Sequence, residues 1–164
     1  MISIAGLMLA ASLLTVKAYP NSFDIHGVVV GGVTSRAALE AALGLKCGEP
    51  IGDRVRCSSD GAHLSSWPSG TIRVTAYYRV SNSVLEQVYI KFHSSEAFQF
   101  DSEMRDKFGE PSPSHIPVVN KKGDITLYDA EDWTNRNGDT VTLLPVDISD
   151  DGSGFLRMEA KKRL

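Results

Sequence analysis

Between positions 71 and 80 apolar and polar residues alternate without a break. Ile72, Val74, Ala76, Tyr78 and Val80 fall on one side; Thr71, Arg73, Thr75, Tyr77 and Arg79 fall on the other. A period of two belongs to a strand with one face in a core and the other toward water. Ser81-Asn82-Ser83 then supplies a turn, and 84–93 predicts the returning strand of a hairpin, with Val88, Ile90 and Phe92 inward and Gln87, Tyr89, Lys91 and His93 outward. The period switches to helical on either side of this hairpin. Thr34 or Ser35 provides an N-cap for a helix over 36–43, where Leu39 and Leu43 stand one turn apart and Gly44 supplies a stop. Ser94 or Ser95 caps a second helix, in which Ala97, Phe100, Met104 and Phe108 form an apolar stripe that Gly109 and Pro111 end.

The rest of the chain is punctuated more loosely. Residues 23–30 read as a first strand or extended entry closing at Gly31-Gly32, residues 58–70 as a long polar surface loop carrying Trp67, and 124–128, 140–144 and 155–161 as further strands. Trp133 reads as a core residue. Lys46-Cys47-Gly48-Glu49-Pro50 recurs as Lys107-Phe108-Gly109-Glu110-Pro111, 61 positions on, and the same offset pairs Leu39 with Phe100 and Leu43 with Met104. Self-similarity at a fixed offset predicts a duplicated unit. The expected fold is therefore α+β: two tandem helix-plus-antiparallel-strand repeats, about 28–93 and 94–164, forming one curved antiparallel sheet with helices packed on one face, in a single domain over 19–164.

The first eighteen residues have another character. An apolar run over 2–14 precedes Thr15-Val16-Lys17-Ala18, a small-residue exit of the kind that a signal peptidase cleaves. As a helix those 13 residues span about 20 Å, short of the roughly 30 Å of a bilayer core. A cleaved signal peptide over 1–18 is the better expectation, followed by a periplasmic or secreted protein, from a bacterium, without stable membrane insertion. In such a compartment Cys47 and Cys57, the only two cysteines, are expected to form a disulfide. They are placed in one loop after the first helix, where closing a ring of about 11 residues stabilises by roughly 2.5 to 3 kcal/mol.

Charge and composition exclude several chemistries. Seventeen basic residues face 20 acidic ones with no block of like charge, which argues against a nucleic-acid partner. A zinc site is not expected, because His26, His63, His93 and His115 are scattered singly. The Asp-rich stretch 147–154 resembles a calcium loop but has Met158 where the twelfth-position Glu belongs. Glu131 and Asp132 are adjacent on a strand and point to opposite faces, so they do not converge on one glycosidic bond. No catalytic residue, metal or cofactor is assigned.

Gly32, Thr34, Leu39, Gly44, Cys47 and Cys57, followed by a long loop and an antiparallel strand pair, resemble the pattern of the secreted β-lactamase inhibitory protein family. The pattern extends to small outer-membrane assembly lipoproteins that carry one such unit. The second half here has no disulfide, and no lipid-attachment cysteine is present. The resemblance implies a curved sheet with a binding face opposite its helices, and no catalysis.

The outward residues of the hairpin point the same way on their own chemistry. Arg73, Tyr77, Arg79, Tyr89 and Lys91 combine the types enriched where proteins bind one another, and Trp67 extends them. Ordinary surface decoration accounts for the same residues, since Tyr favours strands and Arg stems cover neighbouring rings. The leading expectation is a non-catalytic exported protein, protein-binding or inhibitory through this aromatic and basic sheet face. An envelope structural or assembly factor working through helices or loops is the alternative, and a hydrolase a distant one.

Overall fold

A computed structural model describes residues 22–60, 70–119, 122–145 and 153–161. Ten strands and two helices follow one another: β1 (Asp24–Ile25), β2 (Val28–Val29), α1 (Arg36–Leu43), β3 (Lys46–Cys47), β4 (Arg54–Asp60), β5 (Thr71–Arg79), β6 (Val84–His93), a 3-10 turn (Ser94–Glu96), α2 (Ala97–Phe108), β7 (Ser112–Val119), β8 (Ile125–Thr134), β9 (Thr140–Leu144) and β10 (Ser153–Glu159). β1 and β2 form a small ribbon; the other eight strands make one antiparallel sheet in the order β3-β4-β5-β6-β10-β9-β8-β7.

This overturns the expected α+β class. Strand accounts for 52% of the described residues and helix for 19%, with just two helices among them, so the molecule is mostly β, built on an eight-stranded sheet, and not a pair of helix-plus-strand repeats with helices packed on a sheet. The physical reason lies in two strands that lack the usual signals. β4 carries only Val55 and Cys57 as apolar residues among Arg, Ser and Asp. β7 contains Pro113 and Pro117, which remove ladder donors and are tolerated because β7 is the outermost strand.

Where the periodic signals are strong, the elements form as their residues dictate. Ser35 caps α1, its hydroxyl accepting from the Ala38 amide at 3.1 Å, and Gly44 closes the helix in the left-handed conformation (φ 66°). β5 buries Val74, Ala76 and Tyr78 and exposes Arg73 and Arg79; Val80, expected inside, is 44% exposed beyond the strand's end. On β6 the register slips between the Tyr77–Gln87 and Tyr78–Leu85 pairs, leaving Glu86 as an extra residue. That bulge reconciles an inward Leu85 with an inward Val88, three positions apart, and turns the Glu86 carboxylate to the side of Arg54 and Arg79.

One apolar cluster joins the buried face of the sheet to both helices. Leu39 and Leu43 of α1 and Phe100, Met104 and Phe108 of α2 meet Val74, Val88, Ile90, Phe92, Trp133, Val141, Leu143, Leu156 and Met158. Phe92 stacks on Phe100 with ring centres 4.2 Å apart. Gly154 lies opposite Phe92 in the ladder, and a Cβ there would come within 2.7 Å of the Phe92 ring and of the Leu144 carbonyl, so glycine makes the room that this ring occupies. Trp133 is 3% exposed, and its indole donates to the Gly109 carbonyl at 2.6 Å, tying β8 to the end of α2.

Cys47 and Cys57 form the disulfide. They do not sit in a loop, as the sequence reading placed them, but directly opposite one another on β3 and β4, both buried in the core. The bridge therefore clamps an edge strand of only two residues that backbone pairing alone would hold poorly. The expected signal peptide, Trp67 and most of 147–154 lie outside the described residues. No helix among the described residues is long and apolar enough to cross a membrane.

Candidate functional site

Strand alternation and register together define the second face of the sheet. Residues opposite one another in an antiparallel ladder point the same way, and one row runs across all eight strands: Lys46, Ser58, Thr75, Tyr89, Arg157, Thr142, Asp132 and Ser112. On one side of it lie Arg73, Lys91 and Phe155; on the other, Arg56, Tyr77, Gln87 and Glu159. Phe92 and its inward neighbours point to the opposite face, where Phe100 of α2 covers them.

The sequence-predicted residues Arg73, Tyr77, Arg79, Tyr89 and Lys91 thus share one face across β5 and β6. Arg73 and Arg79 are exposed; Tyr77, Tyr89 and Lys91 are half-buried. Neither ring is tucked into the core, a place taken by Tyr78. The Arg54 guanidinium lies 5.1 Å from the centre of the Tyr77 ring, a cation–π contact, and Tyr89 stacks on Phe155 of β10 at 5.3 Å. Arg54, Arg56, Phe155 and Arg157 belong to the same surface, and sequence reasoning did not assign them. Alternation in 153–159 carried the signal for Phe155 and Arg157, but only the pairing of β10 with β6 makes them neighbours of Tyr89.

Glu86 anchors one end of this face. It accepts from Arg54 Nε at 2.8 Å and Arg79 Nε at 3.0 Å, joining β4, β5 and β6. Asp53 holds the adjacent turn; the hydroxyl and amide of Ser81 donate to it at 2.6 and 2.7 Å and, with Arg79 nearby, keep its carboxyl below the ordinary carboxylate range. Toward β7 the face is more closed: Thr142 and Leu144 of β9 are buried, as is the small Thr75 between its longer neighbours on β5. There Arg157 Nε, Asp132 Oδ1 and Ser114 Oγ are buried with no hydrogen-bond partner among the described residues.

A second charged group occupies the other side of the sheet. Arg105 of α2 bonds Asp101 at 2.7 Å and Glu131 of β8 at 2.6 Å, and also pairs with Glu110. Burial, and then the neighbouring Asp101 carboxylate, push the Glu131 carboxyl up to about 7 against the pull of Arg105. Glu131 and Asp132 do diverge, pairing with Leu143 and Thr142 on opposite faces. No group of three or more His, Cys, Asp or Glu able to hold a metal ion occurs among the described residues. Comparisons with protein-family models, characterised proteins and solved structures gave no match for this chain.

Proposed function

We propose that this chain is a non-catalytic, secreted or periplasmic binding protein that docks another protein on the polar face of its sheet, in the manner that the resemblance to secreted inhibitors implies. The observation that carries the reading is the placement of Tyr77 and Tyr89. Both are half-buried rings standing among Arg54, Arg73, Arg79 and Lys91, on a face turned away from the apolar core. Half-buried aromatics held in place by neighbours lose little freedom on binding and contribute much contact area, as binding anchors do. The disulfide and the apolar leader support export.

A second reading, an assembly or structural factor acting through a projecting element, is favoured by one feature. Among the described residues, 125–130 of β8 pair only with β7, and this two-stranded ribbon presents Val119, Ile125 and Leu127 at 63%, 67% and 61% exposure. Capture from an envelope extract, with the mature chain as bait, separates the two. A partner retained by wild type and by Leu127→Ser but lost by Tyr77→Ala supports the sheet face. The reverse pattern supports the ribbon.

A further inference from the structure

We infer that Asp101, Arg105 and Glu131 form a proton-operated latch that pins the last turn of α2 to β8 and loosens when the proton is lost. The latch lies on the side of the sheet away from the docking face, so the two readings stand or fall separately. Arg105 is its pivot. Its Nε donates to both oxygens of Asp101, at 2.7 and 2.9 Å, and its Nη2 donates to Glu131 Oε1 at 2.6 Å, while Glu110 accepts from Nη1. Three carboxyls thus share one guanidinium, and with all of them ionised the group carries two negative charges in excess. Asp101 and Glu131 are half-buried, so water screens their repulsion only in part. Glu131 Oε2 is buried with no hydrogen-bond partner among the described residues, a costly place for an ionised oxygen.

Among the described residues, the other charged groups near this site do not restore the balance. Across the ladder Glu131 faces Leu143 of β9 and Pro113 of β7, neither of them charged. Asp129, two residues back on the same face of β8, adds a carboxylate, and His115 of β7 lies 3.7 Å from it. Lys107 reaches elsewhere, to the Asp24 carbonyl at 2.6 Å. A proton is the remaining neutraliser, and burial, with Asp101 beside it, raises the Glu131 carboxyl to about 7. The closed latch therefore holds the proton more tightly than an open one, in which Glu131 returns toward its ordinary 4.5. Closure is firmest below about pH 4.5, weakens as pH climbs through 7 and changes little beyond. Two adjacent bonds report on the seam. Trp133, on the same face of β8, donates its indole N–H to the Gly109 carbonyl at 2.6 Å, and the Gly109 amide donates to the Arg105 carbonyl at 2.8 Å.

The test is native-state hydrogen exchange on the isotopically labelled mature chain, read as protection factors from about pH 4.5 to 8.5, with the Glu131 carboxyl followed by carbon NMR. The Trp133 indole and the Gly109 amide are expected to lose protection about fivefold as pH rises through 7 and to level off above it, in step with the Glu131 titration. Their exchange should be unmoved by about 1 M urea, the mark of a local opening, whereas Val88 and Ile90 at the centre of the sheet should exchange faster in it. Glu131→Gln should hold protection at the acid-side value throughout, and His115→Gln should leave the wild-type profile unchanged. Should Glu131→Gln fail to fold, the wild type decides alone, since protection that changes out of step with the Glu131 titration overturns the latch. A pH dependence that survives Glu131→Gln and disappears in His115→Gln overturns it too. So does exchange of Trp133 and Gly109 that accelerates in urea together with Val88 and Ile90, because the proton then acts on the stability of the whole fold and opens no separate seam.

Discussion

Glu131→Gln is expected to flatten the dependence of stability on pH and to make the protein more stable than wild type above neutrality. The Glu131 carboxyl titrates at about 7 in the folded chain, against 4.5 as its ordinary value. A folded-state value above the unfolded one means that the native state holds the proton more tightly. The contribution is therefore fully present below about pH 4.5 and is lost as pH climbs through 7. At about 1.4 kcal/mol per pH unit the ceiling is about 3 kcal/mol. The side chain is 31% exposed and bonds Arg105 at 2.6 Å, so solvent screening reduces the expected figure to about 1 kcal/mol. For a chain of this size that is about 2 to 4 °C in melting temperature. Glutamine keeps the shape and cannot ionise. Thermal melts at intervals from pH 5 to 8.5 should show the two proteins converging at the acid end and the variant ahead at the alkaline end. A variant less stable than wild type by the same amount at every pH would refute the reasoning, because the Arg105 bond would then outweigh the burial of the charge.

Three further outcomes follow from the core. Replacing Cys47 and Cys57 together by alanine, or reducing the bridge, should cost roughly 2.5 to 3 kcal/mol in denaturant titration, since the closed loop is short and both sulfurs are buried. Phe100→Ala should cost about 3 to 4 kcal/mol through loss of its stack on Phe92, while Phe98→Ala, at a site 82% exposed two residues away, should change stability by less than about 0.5 kcal/mol in the same measurement. Gly154→Ala should destabilise by about 1 to 3 kcal/mol by forcing the Phe92 ring and the Leu144 carbonyl aside, visible as a lowered melting temperature and a changed Phe92 environment by NMR.

How much of this was legible in the chain depends on how each element declares itself. β5 and β6 were readable because their alternation is nearly unbroken around a Ser-Asn-Ser turn, and α1 because Ser35 and Gly44 mark its ends chemically. β4 carries little signal because its inward positions are only Val55 and Cys57, and a cysteine pair ten residues apart reads as a loop staple. β7 carries little because its two prolines forbid a central strand without forbidding an edge one. With β4 and β7 silent in the pattern, the two helical periods carry more weight than the helices have in the fold, and the sequence points to α+β. The site divides along the same line. Local alternation put Arg73, Tyr77, Arg79, Tyr89 and Lys91 on one face, whereas Arg54, Arg56 and Arg157 reach it through strand pairings that no local pattern encodes.

The docking face is tested most directly by measuring how tightly a partner captured from an envelope extract binds purified wild type and Tyr77→Ala, with melting curves recorded alongside. Binding at least about tenfold weaker is expected for the variant, as removal of an aromatic anchor produces, with a melting temperature within about 2 °C of wild type. Unchanged affinity, or weakened affinity matched by a melting temperature several degrees lower, would contradict it.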